Sequence, residues 1–236
     1  MELMFSQKRF VELGDCDYSA HLRISSLLKY AQDIAAFHVK KMNFGPDKTF
    51  NKGLLWVVAK MHFEIDRMPH HEEGFIFSTW PNKCIHFIFP RNYEIKDEKG
   101  NVYIRGTSFW SLINKEKRSI VMPNELGEEF PYITTGSEIK MPVIIRSPEF
   151  DNKAKIKATW SNVDMNGHLN NTHYFDLVED LIDKDYLLTH SPKTIDVTYK
   201  KEIKLGEEVE LSYGHEGDTY YFYCDRFIIK IEYRQN

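Results

Sequence analysis

The residues best suited to chemistry in this chain sit in one short phrase. Trp160-Ser161-Asn162-Val163-Asp164-Met165-Asn166-Gly167-His168-Leu169-Asn170-Asn171-Thr172-His173-Tyr174 sets a carboxylate, a carboxamide and an imidazole at alternate positions 164, 166 and 168. A carboxylate can serve as base or nucleophile, and a neutral imidazole can relay a proton. Asn166 can position water or polarise a carbonyl. Gly167 permits close backbone approach, and a helix predicted to follow would offer unpaired N–H groups and the positive end of its dipole to an oxyanion. This set suffices for hydrolysis without a metal. Each residue also has a structural alternative: Asp164 holding a turn or capping the helix, and His168 serving only as a hydrogen-bonding group. Asn170 and Asn171 read as capping and turn residues.

A weaker copy of the phrase lies near the start. Asp17-Tyr18-Ser19-Ala20-His21-Leu22 matches Asp164–Leu169 in spacing and shares its Asp, His and Leu, but carries Ser19 where the second copy has Asn166. Such a repeat predicts two similar modules, of which the second kept the chemistry. The match extends downstream, where Phe63-Glu64-Ile65-Asp66 aligns with Lys201-Glu202-Ile203-Lys204 and makes Glu64 the partner of Glu202. The offset is then 147 at Asp17/Asp164 and 138 at Glu64/Glu202, and the nine extra residues fall to a longer first helix.

The elements that must position these groups follow the same order twice. A strand at 5–13 precedes an amphipathic helix with Ile24, Leu27, Leu28, Ala31, Ile34, Ala35 and His38 on one face, ended by Gly45-Pro46. Strands at 54–66, 75–80, 84–96 and 102–114 follow, the last two joined by a turn at Asp97–Gly100. The second half repeats a strand (153–160), a helix (170–182) and strands at 194–205, 207–215, 219–224 and 227–233. Between the halves, 122–152 is rich in Pro and Gly without a period and reads as a surface linker. The expected domains are residues 1–122, a linker at 123–152, and 153–236. The class is α+β, each half a long helix wrapped by an antiparallel sheet.

Bulk properties exclude several functions. A net charge of −4 gives no reason to expect nucleic acid as a partner. Cys16, Cys84 and Cys224 are odd in number and form no CxxC pair, so neither a disulfide framework nor a zinc site is expected, and a reducing compartment, the cytoplasm, is. The first ten residues lack the apolar run of a signal peptide, and no stretch is long enough for a membrane span. His168 and His173, five apart, do not share a helical face, so no metal is expected. There is no phosphate-binding glycine loop and no G-x-S-x-G elbow. No cofactor is expected.

The second-half phrase resembles the signature W-S-D-x-D-x-N-x-H-x-N-N-x-x-Y of the acyl-ACP thioesterase family, departing from it only at Asn162. Tyr199-Lys200-Lys201-Glu202-Ile203 resembles a second family marker, Y-x-x-E-C in plant members. Leu22–Leu28 and Trp56-Val57-Val58 are similar to first-half family segments. The resemblance implies a tandem double hotdog fold and hydrolysis of fatty acyl groups from acyl carrier protein, without a cofactor. It carries catalytic roles to Asp164, Asn166, His168 and Glu202. With Ile203 at the position of the plant cysteine, a cysteine nucleophile there is excluded. Glu202 would activate water, Asp164 would act as base or nucleophile, and Asn166 and His168 would orient the thioester. The plain alternative for Glu202 is a solvent-facing strand residue. By the same analogy the first module would hold the acyl chain, with Trp56, Val58 and Met61 as substrate-binding candidates, each equally explained as core. The acidic carrier calls for a basic dock, to which Lys40, Lys41, Arg67, Lys200 and Lys201 could contribute. A monomer or a homodimer fits a duplicated chain. The rivals are an acyl-CoA thioesterase of the same superfamily, a silent acyl- or carrier-binding protein, and a dehydratase-like enzyme.

Overall fold

The computed structural model describes residues 2–45, 49, 52–117, 119–127, 129–136 and 138–236. The chain divides into two compact units, Met1–Phe10, Tyr30–Phe63 and Gly74–Pro142 in the first, and Val11–Lys29, Glu64–Glu73 and Val143–Asn236 in the second.

The first unit is built on the strands β1 (Phe5–Phe10), β2 (Leu54–Ile65), β3 (Gly74–Pro81), β4 (Phe89–Lys96), β5 (Val102–Asn114) and β6 (Ser119–Val121). They lie in the order β1-β3-β4-β5-β2, with β6 on β5. The registers of β1 with β3, β3 with β4, β4 with β5 and β5 with β6 are antiparallel, the last three between strands consecutive in the chain. The helix α1 spans Ile24–Lys41. Its predicted stripe is real: Ile24, Leu27, Leu28, Ala31, Ile34 and Ala35 are all buried. The helix stops earlier than Gly45-Pro46. Asn43 adopts a left-handed φ of 69°, and Phe44 N–H donates to the Val39 carbonyl at 2.9 Å. That six-to-one bond, with Phe44 and Val39 in one apolar cluster, closes a Schellman end in which Asn takes the place of Gly. Pro46 lies outside the described residues.

The expected linker is not simply a surface strap. Between β6 and the next strand the described residues hold only a 3-10 turn, Pro123–Leu126. Yet Phe130 is buried, its ring 5.0 Å from those of Phe44 and Phe89. Burying such a ring contributes about 2–3 kcal/mol, enough to fix the segment. The Trp80 indole N–H also donates to the Thr135 carbonyl at 3.0 Å.

The second unit holds β7 (Lys153–Lys157), the short helices α2 (His173–Glu179) and α3 (Lys184–Thr189), then β8 (His190–Tyr199), β9 (Glu208–Glu216), β10 (Thr219–Tyr223) and β11 (Phe227–Gln235). Its sheet runs β8-β11-β10-β9-β7, antiparallel throughout. The second helix is shorter than expected, and α3 is an addition the sequence reading lacked. Its start is fixed by Asp183, whose Oδ1 accepts from the N–H groups of Asp185 and Tyr186 at 2.9 and 3.1 Å. No helix among the described residues is long and apolar enough to cross a membrane.

Candidate active site

The phrase leaves β7 as a loop that folds onto its own aspartate. Asp164 Oδ1 accepts from Asn166 N–H at 2.9 Å and His168 N–H at 3.1 Å, while Asp164 Oδ2 accepts from Asn166 Nδ2 at 3.2 Å. Asp164 N–H donates to the His168 carbonyl, and Gly167 N–H to the Asp164 carbonyl. Gly167 sits at φ 76°, a conformation the tight return requires. Asp164 therefore holds a turn, the structural alternative noted for it, and in doing so it orients Asn166 and His168. Asn170 likewise takes the turn role assigned to it, its Oδ1 accepting from Thr172 N–H and Oγ1.

The expected oxyanion site at a helix N-terminus does not form. The N–H groups of Asn166, Gly167 and His168 all turn inward to Asp164, and α2 begins only at His173. His173 and Phe175 N–H are consumed by the Asn170 and Thr172 carbonyls.

A second segment, 200–205, crosses beside the phrase. Leu169 N–H donates to the Ile203 carbonyl at 2.8 Å, and Leu205 N–H to the Gly167 carbonyl at 2.9 Å. These bonds bring Glu202 to His168, with Glu202 Oε2 3.2 Å from His168 Nε2. The Glu202 carboxylate is more than half exposed, so water reaches it freely. Glu202 is not on a strand, since β8 ends at Tyr199.

Two residues that the sequence reading did not single out hold this segment. Lys200 and Lys201 N–H both donate to the Arg226 carbonyl, at 2.7 and 3.0 Å. The Arg226 guanidinium reaches the Glu202 carbonyl at 3.5 Å and the Glu207 carboxylate at 2.5 Å. Glu207 in turn accepts from Lys204 N–H at 2.9 Å. Of the two, Glu207 had a signal in the repeat, and Arg226 had none.

The first copy shows what the repeat preserved. Asp17 Oδ1 accepts from Ser19 and His21 N–H at 2.8 and 3.0 Å, and Ala20 takes the left-handed φ of 61° where the second copy has Gly167. Leu22 N–H donates to the Pro69 carbonyl and His71 N–H to the Ala20 carbonyl, matching the Leu169–Ile203 and Leu205–Gly167 bonds. His70 N–H donates to Glu73 as Lys204 N–H does to Glu207. The offset is 147 in the phrase and 134 in the crossing segment, so Glu202 corresponds to buried Met68 and not to Glu64. The first copy keeps the turn and lacks the carboxylate. His21 there meets the His70 ring, 5.2 Å away and edge-on.

The remaining candidates sit in the other unit on β2. Val58 and Met61 are core residues, and Trp56 donates its indole N–H to the Phe44 carbonyl at 3.0 Å with its ring 4.9 Å from that of Phe89. Strand alternation puts Trp56 and Val58 on one face and Met61 on the other, so the three do not line one surface. Of the expected basic groups, Arg67 is taken up by Glu73 at 2.6 Å and Lys201 by Asp225 at 3.2 Å. Lys41 lies over the Phe5 and Phe37 rings.

Near the first copy, burial raises the Glu179 carboxyl to about 8. Tyr233 donates to it at 3.3 Å, which pulls the other way, while Asp176 and Asp17 push it further up and Arg23 opposes them. Among the described residues no group of three or more His, Cys, Asp or Glu side chains is arranged to hold a metal ion.

Comparison with known proteins agrees across the chain. Residues 2–130 match the family model of the acyl-ACP thioesterase N-terminal domain, and residues 145–234 that of the C-terminal domain. The oleoyl-acyl carrier protein thioesterase 2 of Arabidopsis thaliana is 26% identical over 226 residues, 87% of this chain and 61% of that protein. The palmitoyl-acyl carrier protein thioesterase of the same plant is 25% identical over 218 residues, covering 85% of this chain and 52% of its own length. This chain thus spans between about half and three fifths of these relatives. An acyl-ACP thioesterase from Bacteroides thetaiotaomicron superposes with a TM-score of 0.89 at 21% identity over 98% of both chains. The 12:0-ACP thioesterase from Umbellularia californica superposes with a TM-score of 0.85 at 19% identity, over 100% of this chain and 99% of that one. These two share the fold. With both domain models matched along nearly its whole length, this chain belongs to the acyl-ACP thioesterase family.

Proposed function

We propose that this chain hydrolyses the thioester between a fatty acyl group and acyl carrier protein, releasing free fatty acid and the thiol form of the carrier. The observation that carries the reading is the His168–Glu202 pair at 3.2 Å, built on the Asp164 turn in a member of this family. We read Glu202 as the group that activates water. Its Oε2 faces His168, the other carboxylate oxygen takes a proton from water, and the hydroxide oxygen attacks the thioester carbonyl. The developing oxyanion is met by the Asn166 carboxamide N–H not used on Asp164. Collapse breaks the carbon–sulfur bond, and the proton held by the Glu202–His168 pair passes to the leaving sulfur. Both oxygens of Asp164 already accept hydrogen bonds, which supports a role in orienting Asn166 and His168 over one as nucleophile.

The architecture proposed with it is a tandem double hotdog, with modules at 1–122 and 153–236 joined by 123–152. The two polar turns with matched hydrogen bonds support duplication. The acyl chain is assigned to the first module, where Trp56 and Val58 share a face and Met61 serves the core. Three free cysteines fit a reducing compartment such as the cytoplasm. A monomer or a homodimer carries the activity.

Thiol release from acyl-ACPs of varied chain length, beside the same acyl groups on CoA, tests the reading. Faster release from the carrier protein is expected. Equal or faster release from CoA would move the assignment to an acyl-CoA thioesterase, and no release from either would refute hydrolysis.

A further inference from the structure

Both copies of the turn expose large apolar side chains at corresponding places. Trp160 and Met165 are 85% and 98% exposed, and their counterparts Leu13 and Tyr18 are 77% and 93% exposed. The two faces differ in charge. Around the first pair, over 11–22 and 65–73, stand Glu12, Asp15, Asp17, Asp66, Glu72 and Glu73 against Arg67 alone. At the corresponding positions 158–169 and 199–207, Asp164, Glu202 and Glu207 are balanced by Lys200, Lys201 and Lys204. Lys157, at the end of β7, adds a further cation. Lys157 and Lys204 are exposed; Lys157 stands opposite Glu208 in the β7–β9 register and, after Lys155, lowers that carboxyl, whereas no carboxylate lies within ion-pair distance of the Lys204 ammonium among the described residues.

Hydrogen bonds join these groups into one surface. Ala158 N–H donates to the Glu207 carbonyl and Gly206 N–H to the Ala158 carbonyl, which sets Lys157 beside the crossing segment. His168 and Lys204 are bridged as antiparallel neighbours. The exposed Trp160 and Met165 therefore flank the candidate site, with the exposed cations Lys157 and Lys204 at its edge.

We infer that Trp160 and Met165, with Lys157 and Lys204, form the docking surface for the acidic acyl carrier protein. The inference rests on the proposed function and adds where the carrier sits and why it chooses one of two similar faces. An acidic partner is repelled from the first face by its excess of carboxylates and admitted at the second, where the lysines balance the acids and Lys204 is exposed. Trp160, an exposed aromatic of the kind that dominates interface energetics, anchors the contact.

The test compares acyl-ACP with the same acyl group on pantetheine, which lacks the protein surface. Trp160→Ala with Met165→Ala should raise KM for acyl-ACP about ten-fold while kcat and acyl-pantetheine hydrolysis stay within about two-fold. Lys157→Glu with Lys204→Glu should do the same and abolish the salt dependence of KM. Leu13→Ala with Tyr18→Ala should change neither substrate. Titration of the acyl-free carrier, read by calorimetry, should show the same ranking without turnover. Equal loss on both substrates, an unchanged KM for acyl-ACP, or an equal effect of the Leu13/Tyr18 pair would overturn the docking surface. Pantetheine hydrolysis by the wild type keeps this outcome separate from failure of the hydrolase reading. If neither substrate is hydrolysed and the carrier does not bind, both readings fall.

Discussion

The clamp on the segment carrying Glu202 gives a quantitative prediction. Glu202 is more than half exposed, so packing does not fix its carboxylate; its backbone must. That backbone is held by two bonds to the phrase, two to the Arg226 carbonyl, and the fork from the Arg226 guanidinium to Glu202 and Glu207. Arg226→Gln keeps the carbonyl bonds and removes the ion pair. The side chains of Arg226 and Glu207 are 28% and 29% exposed, so solvent screens the pair only in part. A charge-assisted bond contributes about 1.5–3 kcal/mol, which that exposure reduces to about 1–2. If the loss is felt as freedom of Glu202 in the transition state, kcat falls about ten-fold with KM nearly unchanged. Glu207→Gln should behave alike, and the double variant should be little worse than either, because both break the same link. Denaturant unfolding beside steady-state kinetics on acyl-ACP measures both quantities. A stability loss of the expected size with kcat within about two-fold of wild type would refute the reasoning, since the backbone bonds would then suffice.

Two further predictions concern pH. Glu179 ionises near 4.5 when unfolded and near 8 when folded, so between those values the native state keeps a proton that the unfolded chain has released. This group's contribution to stability should therefore fall as pH rises through the window, by up to about 1 kcal/mol per unit, and Glu179→Gln should remove that component from the pH dependence seen in urea melts. His38, buried in the first unit, is lowered from 6.5 to about 4, chiefly by burial, with the Arg91 guanidinium against its Nδ1 at 3.1 Å also disfavouring the charge. The unfolded chain binds the proton first, so this group's contribution is complete above about pH 6.5 and is lost toward pH 4, offsetting the Glu179 slope where the two windows overlap; His38→Gln should remove most of that acid loss.

The turn that carries the candidate site was legible in the sequence where chemistry and spacing were local. Asp164, Asn166 and His168 alternate along one turn, and the turn is where the structure puts them. The apolar stripe of α1 was legible for the same reason, being periodic over several turns. What failed was register and termination. The shared Glu-Ile pair drew Glu64 opposite Glu202, whereas the backbone bonds pair Met68 with it. Lys200–Leu205 read as the end of a strand because apolar residues recur there. Its N–H groups at Lys200 and Lys201 instead turn to Arg226, a residue whose type and position gave no hint of this. The six-residue α3 is too short to carry a period and depends on the Asp183 cap. Trp56, Val58 and Met61 are pocket candidates by family analogy, and alternation along β2 divides them between two faces.

The central claim is that Glu202, held against His168, activates water for thioester hydrolysis. Single-turnover release of thiol from acyl-ACP by Glu202→Gln, beside wild type and with the melting temperature of each, tests it most directly. Glutamine keeps the shape and can still accept from His168, but it cannot take the proton. The account predicts a rate lower by about 10²–10⁴ with an unchanged melting temperature. A rate within about three-fold of wild type would contradict it.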